Sequence, residues 1–147
     1  MLTFVTYEVL KHPEVLLKLR TEIDEVLGDR QVSLEDLPNM PYTLAVMRET
    51  LRLRPPASTR SVFPKEATVI GNGKYAVTPE DKILVNVTQV HRDPEIWGDD
   101  VGFLNSPFFP RVNPQPHQGD LFKPERMLDG KFEALPVGCL LFLSREF

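Results

Sequence analysis

Glu49-Thr50-Leu51-Arg52 stands two residues before a double proline, Pro55-Pro56. The residues leading into it, Met40 to Leu53, place Met40, Leu44, Met47 and Leu51 on one line of a helix. Asn39 is the expected cap, and the prolines stop the helix because they lack an amide hydrogen and restrict the residue before them. A spacing of three brings Glu49 and Arg52 onto the same face. Taken alone, such a pair is an ordinary solvated ion pair contributing a few tenths of ~1 kcal/mol. What surrounds it decides whether it is more than that.

Upstream the period stays helical. Met1 to Lys11 opens without a cap, with Leu2, Val5 and Val9 on one face, as the tail of a longer helix would. Pro13 to Leu27 is the clearest helix. Val15, Leu16, Leu19, Ile23, Val26 and Leu27 form its apolar stripe, Lys18, Arg20, Glu22 and Glu25 face outward, and Gly28 follows at the C-terminal end. Ser33 to Leu37 reads as a short helical turn.

Downstream the period changes to two. Ala67 to Ile70 and Tyr75 to Val77 read as strands around the turn Gly71-Asn72-Gly73, and Lys82 to Val90 as a further strand. Pro94 to Gly98 resembles a short helix start. Gly102 to Gln118 breaks the pattern: it holds four prolines, three phenylalanines, one arginine and no acid. The last eleven residues, Val137 to Phe147, are apolar without a clear period.

Composition narrows the function classes. The chain has 147 residues, a formal net charge of −4 and 41% hydrophobic residues. That suits one soluble domain and gives no sign of a nucleic-acid partner. No apolar run approaches the ~20 residues that span a bilayer, and the first ten residues lack the features of a signal peptide, so a cytoplasmic location is expected. One cysteine, Cys139, excludes an internal disulfide, and His12, His91 and His117 show no metal-ligand spacing.

Four elements in order carry a family likeness: Leu10-Lys11-His12-Pro13-Glu14, then Glu49-Thr50-Leu51-Arg52, then His91-Arg92-Asp93-Pro94-Glu95-Ile96-Trp97-Gly98-Asp99-Asp100, then Phe122-Lys123-Pro124-Glu125-Arg126-Met127. Each is weak alone. As an ordered set, with helices and then strands between them, they resemble the C-terminal half of a cytochrome P450. The runs Lys65 to Gly71 and His91 to Val101 resemble the self-sufficient fatty-acid hydroxylases fused to an NADPH-cytochrome P450 reductase. His91-Arg92-Asp93 also matches the start of the kinase catalytic loop, but Pro94 follows it, Gly98 stands where that motif needs asparagine, and no glycine-rich loop or Asp-Phe-Gly is present.

The resemblance implies a mainly α fold with a small β-sheet: the end of the long central helix, two following helices, a β-hairpin region and the meander. It implies a structural triad of Glu49, Arg52 and Arg126, in which two guanidinium groups satisfy one buried carboxylate. Met127 stands where the family usually has an aromatic residue, a change that methionine's flexible side chain accommodates. By the same resemblance Ala57 and Thr59 contact substrate and Arg60 reaches a haem propionate. No catalytic residue is expected in this stretch, because the cofactor carries the chemistry.

The family needs a cysteine thiolate as proximal iron ligand, in a loop of pattern F-x-x-G-x-R-x-C-x-G. Cys139 has no such lead-in and follows Arg126 too soon, so it is not expected to bind metal. The acidic-threonine motif of the distal side would lie just before Met1. These features suggest a partial cytochrome P450 domain over residues 1–136, interrupted by a non-native insert at 102–118 and followed by an unrelated tail at 137–147. Both segments begin at or beside a valine, whose codons start with the bases of an intron donor, and Gln118 can be encoded by an acceptor triplet. Translated introns are therefore expected, with a genuine long loop as the rival reading, and transcript sequencing tests this. The complete enzyme would be a haem-thiolate monooxygenase acting on a fatty acid or other lipophilic substrate. Its electrons would come from NADPH through the FAD and FMN of a reductase, fused or separate. The 147 residues alone are expected to bind no haem and to be inactive. The alternative is a non-enzymatic product of a pseudogene or a faulty splice.

Overall fold

The computed structural model describes residues 1–97 and 121–135. Three helices dominate: α1 (Leu2–Lys11), α2 (Pro13–Leu27) and α3 (Pro41–Leu53). A 3-10 turn, Leu34–Asn39, joins α2 to α3. Four short strands follow: β1 (Thr59–Val62), β2 (Thr68–Ile70), β3 (Tyr75–Val77) and β4 (Ile83–Asn86). Two single-turn helices come next, α4 (Val87–Val90) and α5 (Pro94–Trp97), and a second 3-10 turn, Pro124–Met127, lies in the last described stretch.

The expected elements form, with differences that have physical causes. Pro13 occupies the first turn of α2, where a missing amide hydrogen costs nothing. Gly28 ends it with a positive φ of 57°, a conformation that favours glycine. Asn39 does not cap α3. It ends the preceding 3-10 turn, and α3 begins after Met40 with no cap from its own flank. The cap comes from α2 instead: the Glu22 carboxylate accepts from the Tyr42 and Thr43 amides, both at 2.7 Å, and from the Thr43 hydroxyl at 2.6 Å. A carboxylate at a helix start satisfies orphan amides and complements the helix dipole. Ser33 and Asp36 form a capping box on the 3-10 turn. The hydrogen bond from Arg30, with those from Ser33, holds the Asp36 carboxyl well below the usual carboxylate range.

The strand expected over Lys82 to Val90 stops at Asn86, because the Asn86 side chain accepts from the Gln89 amide and starts α4. Its partner β1, which the sequence pattern did not announce, pairs with it antiparallel, Thr59 opposite Asn86 and Val62 opposite Ile83. The hairpin around Gly71-Asn72-Gly73 pairs Thr68 with Val77 and Ile70 with Tyr75. A Cβ on Gly71 would fall 2.8 Å from the Tyr75 ring, and its φ is +63°, so the turn needs glycine there.

Two apolar clusters make the core. Val9, Val15, Val46, Leu53 and Phe122 form one, and Ala45, Trp97, Met127 and Phe132 the other. Helix α3 serves both. Of the expected line Met40 is buried, just before the helix, while Leu44, Met47 and Leu51 are half-buried. The most buried line of the helix itself runs through Ala45, Val46, Glu49, Thr50, Arg52 and Leu53, so that two charged residues share the core face. Among the described residues no helix is long and apolar enough to cross a membrane.

Candidate functional site

The core face of α3 gives the molecule its most distinctive chemistry. Glu49 and Arg52 are both completely buried, one helical turn apart. Arg52 meets the carboxylate with two parallel bonds, Nε to Oε2 at 2.7 Å and Nη2 to Oε1 at 2.8 Å. Arg126, seventy-seven residues away in sequence, donates from Nε to the same Oε1 at 3.0 Å. The Lys123 amide adds a further bond to Oε1 at 3.1 Å. Main-chain carbonyls also receive both guanidinium groups. Arg52 Nη1 donates to the His91 carbonyl at 2.9 Å, and Arg126 Nη1 to the Trp97 carbonyl at 3.0 Å. The Arg52 guanidinium also lies 5.4 Å from the Trp97 ring centre, within cation–π range. A buried ion pair persists only when its remaining hydrogen-bonding capacity is met in this way.

A second set of bonds extends the cluster. His91 is buried, with Nδ1 3.2 Å from the Arg52 carbonyl oxygen. Arg92 Nη2 donates to the Leu53 carbonyl at 2.9 Å. Together they satisfy carbonyls at the end of α3, which no longer have helical partners. His91-Arg92 was read in the sequence only as part of a motif; its role as a seal on α3 had no sequence signal, because the acceptors are main-chain atoms.

The 124–127 turn is held from the outside as well. Lys18 Nζ donates to Glu125 Oε1 at 2.6 Å, and the Tyr42 hydroxyl donates to the same oxygen at 3.4 Å. Burial and the neighbouring Glu125 carboxylate push the Tyr42 phenol up to about 12. Burial acts to raise the Glu125 carboxyl, but the Lys18 bond prevails and holds it below the usual range. Arg48 stacks its guanidinium 3.7 Å from the Phe132 ring centre and pairs with Glu133.

The structure brings Glu49, Arg52 and Arg126 together. It places Ala57, Thr59 and Arg60 elsewhere, exposed at the start of the β1–β4 ribbon, with Arg60 opposite Val85. Cys139, the insert at 102–118 and the tail at 137–147 lie outside the described residues. A feature with no sequence signal is the buried Glu8, which accepts from Arg54 Nε at 3.1 Å and ties α1 to the end of α3. Beside it, Thr3, Phe4, Tyr7 and Arg54 line a cavity of about 270 Å³.

Comparison with known proteins agrees with this architecture. The family model for Cytochrome P450 matches residues 1–104, well over half of the sequence. The chain belongs to the cytochrome P450 family. It is 43% identical over 136 residues to the self-sufficient cytochrome P450 monooxygenase CYP505E3 of Phanerodontia chrysosporium, covering 92% of this chain and 11% of that protein. It is 39% identical over 124 residues to the bifunctional cytochrome P450/NADPH–P450 reductase 1 of Bacillus subtilis, covering 84% of this chain and 11% of that one. A solved zebrafish cytochrome P450 with progesterone superposes with a TM-score of 0.69 at 28% identity, over 89% of this chain and 26% of that chain. The chain thus spans about a tenth of the length of the curated relatives it matches.

Cytochromes P450 hold haem iron through a cysteine thiolate. The described residues include no thiol, and among them no three of His, Cys, Asp and Glu come together as a metal site would require. By the chemistry of their donor set, the described residues do not by themselves supply that proximal ligand.

Proposed function

We propose that this chain is the helix-and-meander portion of a haem-thiolate monooxygenase, and that Glu49, Arg52 and Arg126 have a structural role in it. The observation that carries the reading is a fully buried carboxylate shared by two guanidinium groups, one from its own helix and one from the last described stretch, within a chain of the cytochrome P450 family. The three residues hold the 121–135 stretch on α3, and none of them is a group that reacts. Ala57 and Thr59, small and exposed at the entry to β1, are the proposed substrate contacts, and Arg60 the proposed partner of a haem propionate.

The complete enzyme would insert one oxygen atom into a fatty acid or similar lipophilic substrate. Electrons would pass from NADPH through FAD and FMN of a reductase. The reductase proposal is supported by relatives whose names describe fusions with an NADPH–P450 reductase. Residues 102–118 and 137–147 are proposed to be foreign to the domain, on the proline-rich, acid-free composition of the first and the aperiodic, apolar composition of the second.

Carbon-monoxide difference spectroscopy tests the assignment. A protein that joins these residues to the flanking haem-loop and distal-helix sequences is expected to show the red-shifted Soret band of a reduced haem-thiolate. Absence of that band from a folded, haem-reconstituted sample overturns the monooxygenase reading. The 147 residues alone are expected to show none, and a band there would overturn the scaffold role and give Cys139 back its candidacy as ligand.

A further inference from the structure

We propose that Asn72, at the tip of the β2–β3 hairpin, is a site of spontaneous covalent modification. The Gly73 amide nitrogen attacks the Asn72 side-chain carbonyl, ammonia leaves, and water opens the resulting ring to an aspartyl or an isoaspartyl residue. The folded turn itself leaves this reaction open.

Residues 71–74 form a tight turn, closed by the Lys74 amide donating to the Gly71 carbonyl at 3.3 Å. Asn72 and Gly73 are its central residues, with φ of 54° and 86°. Positive values at both positions mark the type I′ turn, for which Asn-Gly is a favoured pair. Both residues are exposed. The Gly73 amide takes no main-chain hydrogen bond among the described residues. A Cβ placed on Gly73 would meet nothing within 4 Å, so neither a side chain nor a neighbour crowds the attacking nitrogen.

The other described asparagines lack these conditions. Asn39 precedes Met40, whose amide donates to the Leu37 carbonyl at 3.1 Å. Asn86 precedes the β-branched Val87, whose amide donates to the Ser58 carbonyl at 3.0 Å, and the Asn86 side chain is itself held by the Gln89 amide. A nitrogen committed to a hydrogen bond must give it up before it can attack.

The chemistry needs only water and hydroxide. Hydroxide takes the Gly73 amide proton, and the nitrogen forms a bond to Asn72 Cγ. The Cγ–Nδ2 bond breaks, and the side-chain nitrogen leaves as ammonia with a proton from water. Water then opens the cyclic imide. Cleavage of the new bond to Cγ gives aspartate on the original main chain. Cleavage at the main-chain carbonyl carbon gives isoaspartate, in which the main chain is lengthened through Cβ.

The molecule already contains the counterpart of the first product. Residues 128–131 make a turn of the same build: the Lys131 amide donates to the Leu128 carbonyl at 3.1 Å, and Asp129 and Gly130 have φ of 57° and 73°. Lysine and an aromatic residue follow in both, Lys74-Tyr75 and Lys131-Phe132. An Asp-Gly pair therefore fits such a turn. The longer main chain of isoaspartate does not, because the turn has little slack: a Cβ on Gly71 would fall 2.8 Å from the Tyr75 ring.

The test incubates the full chain at mildly alkaline pH in heavy-oxygen water and maps the products by peptide mass spectrometry. Residue 72 is expected to convert ahead of Asn39 and Asn86, to retain a heavy oxygen, and to shift the chain on anion exchange by a single negative charge beyond its −4. The rate is expected to rise in proportion to hydroxide. Asn72→Gln is expected to lose this species, because its side chain closes a larger ring more slowly. An amide at residue 72 that persists in the folded chain overturns the proposal, whether or not it converts in urea. Asn72→Asp is expected to keep the cross-strand pairing of Val69 with Ala76, followed by nuclear magnetic resonance, and the isoaspartyl form to lose it. Loss of the pairing in Asn72→Asp as well would overturn the account of the two products.

Discussion

The neighbourhood of α3 and the two β-ribbons are built from opposite materials. Around α3, charged side chains are buried. Glu49 and Arg52 have no exposed surface, and Arg126 keeps only 13% of its side-chain surface exposed. In the ribbons, large apolar and aromatic residues lie open: Val69, Tyr75 and Leu84 are each more than half exposed. A rule that sends apolar residues inward and charges outward would describe neither region. The difference shows that here position within the fold is set by partners. A charge with its hydrogen-bonding partners is retained in the core, while an apolar strand residue over which no described element packs stays at the surface.

The contrast can be broken most forcefully at Glu49. Glu49→Ala strands two guanidinium groups in the core and is expected to cost about 3–5 kcal/mol, read from the urea midpoint of unfolding. A loss below about 1 kcal/mol would mean that the buried charges behave like surface ones. Next comes Glu22→Ala, which removes the cap that α2 lends to α3. About 1 kcal/mol is expected, with the change confined to stability because Glu22 touches none of the buried charges. The Tyr42 phenol gives a pH test. Its folded value of about 12 lies above the ordinary ~10, so above that ordinary value the unfolded chain loses the proton first. Stability should therefore fall as pH rises past it, and Tyr42→Phe should flatten that limb of the profile. Lys18→Met removes an ion pair whose members are about half exposed, and should cost between 0 and about 1 kcal/mol, less at high salt. Smallest of all, Leu84→Ser in the open ribbon is expected to change stability by no more than about 0.5 kcal/mol. A larger loss would show that this ribbon face is covered.

How far the sequence alone reached follows the range of the forces involved. Helix α2 was legible end to end, because its stripe, its leading proline and its terminal glycine are local signals. The hairpin at Gly71 was legible for the same reason. The core face of α3 was misjudged. Periodicity counts apolar residues, and here the buried line includes a glutamate and an arginine whose shelter comes from a turn far along the chain. The sequence points to Asn39 as the cap of α3, but the cap comes from Glu22 on another helix. Strand β1 has no sequence signal because its pairing with β4 spans more than twenty residues and β1 itself is exposed throughout, so no alternation marks it. In the site, the three charged residues could be named only by resemblance. The sealing roles of His91 and Arg92 could not, since a main-chain acceptor has no identity in the sequence.

That last point bears on how this protein can change over time. Arg52, Arg126 and Arg92 donate to the oxygens of residues 91, 97 and 53, atoms that every amino acid possesses. The three arginines thus recognise a route through space and not a spelling. So far as these contacts go, selection can rewrite the letters along that route, provided the path itself does not bend.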